Sequence, residues 1–306
     1  MYIQSVVTNE EESLQNFALF KQRTSRNTVI NSWCRYCNWP PHTDQLSLKF
    51  AFTGAETYYL QHRKLMVQHD QLLVVNAHQA HASSIRSAEW VHSFAIYFDA
   101  ELVSTLAAAC FSPDEVLLAN PYLRSDQTMW FFEQFYAATV PLRRQLVLLK
   151  QVMEQQPLSE LALEEHLHGI LGELLQTYRR QVHRSCTHLS AVKRSTRLEI
   201  YRRLHLAKEF IDEQASQALT LDHIARASML SKNHLLRYFR QLFGYSPHQY
   251  ATAVRLEQAK ILLTQSALSV QAISNQVGFE SPSSFGRLFK SSFVLTPQQY
   301  RLQYTR

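Results

Sequence analysis

Two segments of this 306-residue chain repeat one another, and that duplication restricts the fold more than any other feature. Leu219 and Ile224 recur as Leu268 and Ile273, 49 positions later. Past one inserted residue the offset becomes 50. Ser231 then recurs as Ser281, Arg237 as Arg287, Phe239 as Phe289, Pro247 as Pro297 and Tyr250 as Tyr300. Apolar and punctuating residues matched across a whole supersecondary unit signify a duplicated structure.

Each copy reads as a helix, a turn and a second helix. In the first, Leu221, Ile224 and Ala225 share one face, Met229-Leu230 forms the turn, and Ser231 is a natural N-cap for a helix over about 232–242. That helix is expected to bury Leu235 and Phe239 and to leave Asn233, Leu236, Arg237 and Arg240 outward. In the second copy, Val270 and Ile273 face inward and Val277-Gly278-Phe279 makes the turn, with Gly278 suited to a positive φ. Ser281 caps the next helix, and Pro282 stands at its first position, where a missing N–H does no harm. Phe285 and Phe289 are expected inside, with Ser283, Ser284, Gly286 and Arg287 outward. Between the copies, 253–265 predicts a linker helix carrying Leu256, Ala259, Leu262 and Leu263 on one side.

Such a pair of units suits a DNA duplex. The outward residues of a recognition helix meet base edges in the major groove, and two helices about one DNA turn apart (~34 Å) can enter successive grooves on one face. Arginine suits bidentate contact with guanine, and asparagine with adenine. The expected base-facing set is therefore Asn233, Leu236, Arg237, Ser283, Ser284, Gly286 and Arg287. Ser231, Lys232, Arg240, Ser281 and Lys290 are expected at phosphates, beside N–H groups at the helix N-termini. Charge agrees with this. Residues 190–306 carry 16 Lys+Arg against 7 Asp+Glu, whereas the first 189 carry 15 against 18.

The N-terminal part has another texture. The chain is long enough for two domains, and its 46% apolar residues suffice for real cores. Short alternating runs at 46–52, 64–67, 72–75 and 94–98 predict strands of a sandwich or small barrel over about 28–98. From 99 to about 183 the period is helical. Leu142, Leu146, Leu149 and Met153 form one stripe, Leu163, Leu167, Ile170, Leu174 and Tyr178 another, and Pro157 separates them. A polar stretch, 184–198, is expected to link this part to the helical 199–306. Four scattered cysteines, the lack of an apolar run of ~18 residues, and Glu10-Glu11-Glu12 where a leader would be apolar predict a cytoplasmic protein with no membrane partner.

The segments Arg255-Leu-Glu-Gln-Ala-Lys-Ile-Leu-Leu263, Ile273-Ser-Asn-Gln-Val-Gly-Phe279, Phe285-Gly-Arg-Leu-Phe-Lys290 and Thr296-Pro-Gln-Gln-Tyr-Arg301 strongly resemble the signature of the AraC/XylS family of bacterial regulators. The resemblance covers about 200–304. One departure is Val294, where the family often has glycine; the first copy keeps it as Gly244. The resemblance implies an α+β chain. An N-terminal cupin-like β-barrel with a helical dimerisation segment would occupy 1–183, and a C-terminal all-α domain of two helix-turn-helix units joined by a linker helix would occupy 199–306.

It further implies a transcription regulator, not an enzyme. Such proteins are usually activators, answer a small-molecule effector without a cofactor, and act as homodimers on the major groove of double-stranded DNA, reaching RNA polymerase when they activate. The stretch from Gly54 to His81 is similar to the strand–turn–strand stretch of these sensor barrels, which makes Trp33, Tyr36, Trp39, Tyr58, Tyr59 and His81 candidate effector-pocket residues. Two other readings compete, a metal-dependent cupin enzyme with a helical tail and a regulator without an effector. Against the enzyme, His78-Gln-Ala-His81 lacks the His-x-His spacing and following Glu of metal-binding cupins, and His62, His69 and His92 do not supply it. Cys34-Arg-Tyr-Cys37 lacks the second close pair that a closed zinc site needs.

Overall fold

The computed structural model describes residues 1–22, 27–60, 63–112, 114–120, 123–124, 129–131, 135–155, 158–191 and 193–304; Pro157 and His62 lie outside them. The chain divides into two compact units, one built from Met1–Leu60 and Lys64–Gln181, the other containing Val182–Arg306.

The first unit opens with β1 (Tyr2–Val7), α1 (Glu10–Lys21), β2 (Thr28–His42), β3 (Ser47–Thr53), β4 (Glu56–Leu60), β5 (Arg63–Val67), β6 (Gln71–Val75) and β7 (His81–Tyr97). It continues through α2 (Ala100–Phe111), α3 (Asp114–Ala119), β8 (Phe135–Ala137), α4 (Val140–Gln155) and most of α5 (Glu160–Thr187), whose residues from Val182 on fall in the second unit. Among the described residues the strands form one sheet of order β1-β2-β7-β3-β6-β8, with β4 paired to β5 and β7. This sheet is not closed, so a barrel over 28–98 is not what the strand pairing shows.

Its backbone is the antiparallel β2–β7 pair, registered from Thr28 opposite Tyr97 to His42 opposite His81, with irregularities at Cys34/Tyr36 and Trp39/His42. Such bulges bend a strand and re-aim the side chains beyond them. The strand β7 is much longer than the apolar run at 94–98 that predicts it, because His81–Trp90 is polar and carries little apolar period. The acidic run Glu10-Glu11-Glu12 forms the first turn of α1. Asn9 accepts from the Glu12 N–H at 3.0 Å, and three glutamates in the first turn complement the positive end of the helix dipole. The two apolar stripes of α4 and α5 are buried within the chain, with Leu142, Leu146, Leu149, Leu167, Ile170 and Leu174 fully enclosed.

The second unit is all-helical among the described residues: α6 (Arg194–Gln214), α7 (Leu221–Ala227), α8 (Lys232–Phe243), α9 (Pro247–Gln265), α10 (Val270–Gln276), α11 (Pro282–Phe293) and α12 (Pro297–Tyr304). The stretch 184–198, expected as a linker, is mostly taken up by helix, since α5 runs to Thr187 and α6 starts at Arg194. The linker helix α9 begins at Pro247, earlier than the expected 253, behind a capping box in which Ser246 and Gln249 satisfy each other's backbone N–H.

The duplication is carried by caps and turns. Thr220 and Ser269 cap α7 and α10, Ser231 and Ser281 cap α8 and α11, and Thr296–Gln299 repeats the Ser246–Gln249 box. Each cap is worth about 1 kcal/mol. The turns match too: Met229 (φ 52) and Gly278 (φ 90) occupy equivalent left-handed positions, as do Gly244 (φ 78) and Val294 (φ 66) after the recognition helices.

Valine in that region is strained, because its branched Cβ crowds the backbone. Val294 is 82% exposed and gains little by packing. Replacing it with glycine is therefore expected to stabilise the protein by roughly 0.5–1 kcal/mol, after the entropy that glycine adds to the unfolded chain. A urea midpoint that rises with an unchanged slope bears this out; a lower midpoint contradicts it.

In α6, His205 is buried (1% exposed) between Tyr201 and Phe243. Burial, helped by the Lys208 charge, holds its imidazole down at about 3, against an ordinary 6.5. The unfolded chain therefore takes up this proton first as pH falls. The group's contribution to stability is complete above pH ~6.5 and is lost progressively towards its folded value. The loss of stability between pH 6.5 and 5 is expected to shrink in His205→Phe, measured by urea unfolding at both pH values. An identical pH dependence in variant and parent contradicts the assignment.

Candidate nucleic-acid interface

Helical periodicity sorts α8 into two faces. Leu235, Tyr238 and Phe239 are buried, while Asn233, Leu236, Arg237 and Arg240 are exposed on the opposite side. In α11, Phe285 and Phe289 are fully buried and Ser283, Arg287 and Lys290 are exposed; Ser281, Ser284 and Gly286 are half-buried. The core beneath α11 joins Leu256, Ala259 and Leu263 of α9 to Ile273, Phe285 and Phe289.

Both recognition helices border a common space, although of the expected base-facing residues only Leu236 and Ser284 line it; Asn233, Arg237, Ser283, Gly286 and Arg287 do not. An open groove of about 860 Å³ has Leu236 of α8 among its lining, Ser281, Ser284 and Leu288 of α11, and Pro247 and Arg255 of the linker helix. Three long-range contacts fix the units around it. Arg255 donates through Nε to the Ala215 carbonyl at 2.6 Å and through its terminal nitrogen to Gln217 at 3.0 Å. Arg301 does the same at the end of α9, to Leu263 at 3.2 Å and Leu268 at 2.5 Å. Each arginine satisfies one carbonyl that a helix end leaves without an intrahelical partner, Ala215 or Leu263, and one in the loop that follows, Gln217 or Leu268. Gly278 approaches the backbone of Ser216 so closely that a Cβ there would lie 2.6 Å from its carbonyl oxygen. Sequence reasoning missed the two arginine clamps, because each joins residues more than thirty positions apart with no periodic signal.

Several expected contact residues already hold partners. Arg237 donates to the Ser190 hydroxyl at 2.6 Å, and the Gln241 amide reaches the same oxygen at 3.3 Å. Lys232 pairs with Asp222 at 2.9 Å. Ser231 and Ser281 accept from the backbone N–H of His234 and Ser284 as N-caps. Exposed pairs of this kind contribute under about 1 kcal/mol and can be exchanged for a stronger polyanion contact.

In the sheet unit, strand alternation splits the candidate pocket residues. Trp39, Tyr58 and His81 line one cavity, with Lys49 and Glu56. Trp33, Tyr36 and Tyr59 do not line it: Trp33 stacks on His92 with centroids 4.1 Å apart, Tyr36 lies under Arg86, and Tyr59 accepts from Ser84 at 3.4 Å. The Cys34 thiol also lines the cavity, where burial, then Glu56, pushes it up to about 12. Among the described residues no group of three or more His, Cys, Asp or Glu is placed to hold a metal. No described helix is long and apolar enough to cross a membrane.

Comparison with known proteins matches residues 224–303 to a family described as a helix-turn-helix domain. An uncharacterized HTH-type transcriptional regulator of Haemophilus influenzae is 37% identical over 100 residues, 33% of this chain and 34% of that protein. The HTH-type transcriptional regulator MtrA of Neisseria gonorrhoeae is 33% identical over 97 residues, 32% of each chain. Among solved structures, the C-terminal domain of AraT, a response regulator from Geobacillus stearothermophilus, is 30% identical over 34% of this chain and 87% of that one, with a TM-score of 0.33. The chain thus spans about a third of the length of the curated relatives it matches. Two capped helix-turn-helix units around one linker helix, largely within the matched residues, make the C-terminal part of this chain an AraC-type helix-turn-helix domain.

Proposed function

We propose that this chain is a ligand-responsive, sequence-specific transcription regulator of the cytoplasm. Residues 199–306 read DNA, and 1–183 sense an effector and pair two copies. The observation that carries the reading is the groove to which both α8 and α11 contribute, which supports an approach of the two helices to one side of a duplex. In this reading Arg237 and Arg287 contact guanine, and Asn233, Leu236, Ser283, Ser284 and Gly286 complete the base-facing surface. Ser231, Lys232, Arg240, Ser281 and Lys290 meet phosphates.

The names of the relatives as transcription regulators support the same activity. The long antiparallel β2–β7 pair beside a cavity that mixes apolar and polar side chains supports a cupin-like sensor, though its sheet is open. An effector acts only by binding one arrangement of the two parts better than another. As an activator, the dimer would bring RNA polymerase to its site. Selection of duplexes from a random pool by the full chain, at fixed salt, tests the reading. Enrichment of two short elements about one helical turn apart is the expected result. A pool that stays random while still binding shows only nonspecific phosphate affinity and refutes the proposal.

A further inference from the structure

The cavity in the sheet unit holds three buried polar atoms that the described protein leaves unsatisfied. They are the Asn16 side-chain oxygen, the Trp39 indole N–H and the His81 Nε2, and the three residues line the same space. The residues are 8%, 8% and 2% exposed, so bulk water does not reach them freely. A buried polar atom without a partner costs about 1–3 kcal/mol, and three facing one cavity mark a place built to be filled.

Their hydrogen-bond roles are defined. His81 Nδ1 lies 3.2 Å from the Gln79 carbonyl, an acceptor, so Nδ1 carries the proton and Nε2 accepts. Burial and the charge of Lys49 hold this imidazole down at about 2, which keeps it neutral. The occupant must therefore donate to His81 and Asn16 and accept from Trp39. The cavity also holds one buried ammonium and one buried carboxylate. Lys49 donates to the Tyr97 hydroxyl at 2.5 Å, and Glu56 accepts from Ser93 at 2.6 Å. Lining charges of opposite sign leave no excess for an ion to neutralise, and a charged occupant would be buried without compensation.

We propose that this cavity receives the polar end of a neutral effector, a hydroxyl pair or a carboxamide that donates to Asn16 and His81 and accepts from Trp39. The proposal rests on the reading of this unit as a sensor. The volume, about 30 Å³, fits one or two waters or one such polar group, not a whole drug-sized molecule.

The test follows the indole N–H resonance of Trp39 in the full chain labelled with ¹⁵N-tryptophan, assigned through Trp39→Phe. The probes are 1,2-propanediol and acetamide, with acetate and methylammonium as ionic counterparts. A neutral probe is expected to shift the Trp39 signal saturably while leaving Trp33 and Trp90 in place, and to bind at least fivefold more weakly to Asn16→Ala or His81→Phe. If one variant does not fold, the other decides. No saturable shift with any probe makes the cavity a water site and overturns the proposal, as does equal saturation by an ion. Failure of the sensing reading looks different: Trp39 saturates while affinity for selected DNA stays constant, so the binding site stands and its regulatory role does not.

Discussion

Arg237→Ala or Arg287→Ala is expected to weaken binding to a selected site by about 1–3 kcal/mol, roughly 5- to 150-fold, and to relax base preference at one position each. The two residues occupy equivalent exposed positions on α8 and α11, fifty residues apart, behind equivalent serine caps. On the proposal that each reads a separate groove, the losses should add in the double variant to within about 0.5 kcal/mol. Lys290→Ala should behave differently, lowering affinity on all sequences alike and reducing the salt dependence by about one ion. Fluorescence anisotropy on specific and scrambled duplexes at two salt concentrations separates these outcomes. Equal losses on both duplexes for the arginine variants would place them at phosphates and remove them from the base-facing set.

Gly278→Ala is expected to be the most damaging single methyl in the reader. Its φ of +90° costs a side chain about 1–3 kcal/mol by itself. The new Cβ would also lie 2.6 Å from the oxygen and 2.9 Å from the carbonyl carbon of Ser216, which are backbone atoms that Arg255 helps to hold through Ala215 and Gln217. Overpacking of this kind adds about 1–3 kcal/mol, for a total on the order of 2–6 kcal/mol. Gly244→Ala is the control. It has a similar φ of +78° and nothing within 4 Å of a Cβ, so it should lose only the conformational part. Since Gly278 belongs to the second helix-turn-helix and Ser216 precedes the first, the variant should also spoil the spacing of the two recognition helices. Its affinity for a two-element site should fall more than for a single element. Equal destabilisation by the two substitutions would show that the contact with Ser216 contributes nothing.

The reader was legible in the sequence because its signals are local. A 3.6-residue apolar period placed Leu235, Phe239, Phe285 and Phe289 inside, and serine caps fixed the starts of α8 and α11 to the residue. Long-range geometry left no such trace. The clamps of Arg255 and Arg301 and the contact of Gly278 with Ser216 join positions 33 to 62 residues apart. The sheet unit was only partly legible for a related reason. Strand period reveals which side chains share a face, but bulges in β2 reset that face, so only Trp39, Tyr58 and His81 of six candidates reached the cavity. Of the polar groups beside them, Glu56 shares β4 with Tyr58, whereas Asn16 and Lys49 come from two other elements, α1 and β3, and are brought there by packing that no local pattern encodes.

Hydroxyl-radical footprinting of the full chain on a selected duplex tests the central claim most directly, that α8 and α11 are held towards one strip of DNA. Two protected tracts on the same face, one helical turn apart, are predicted, with Arg237→Ala and Arg287→Ala each weakening a different tract. A single tract, or two on opposite faces of the duplex, would contradict it.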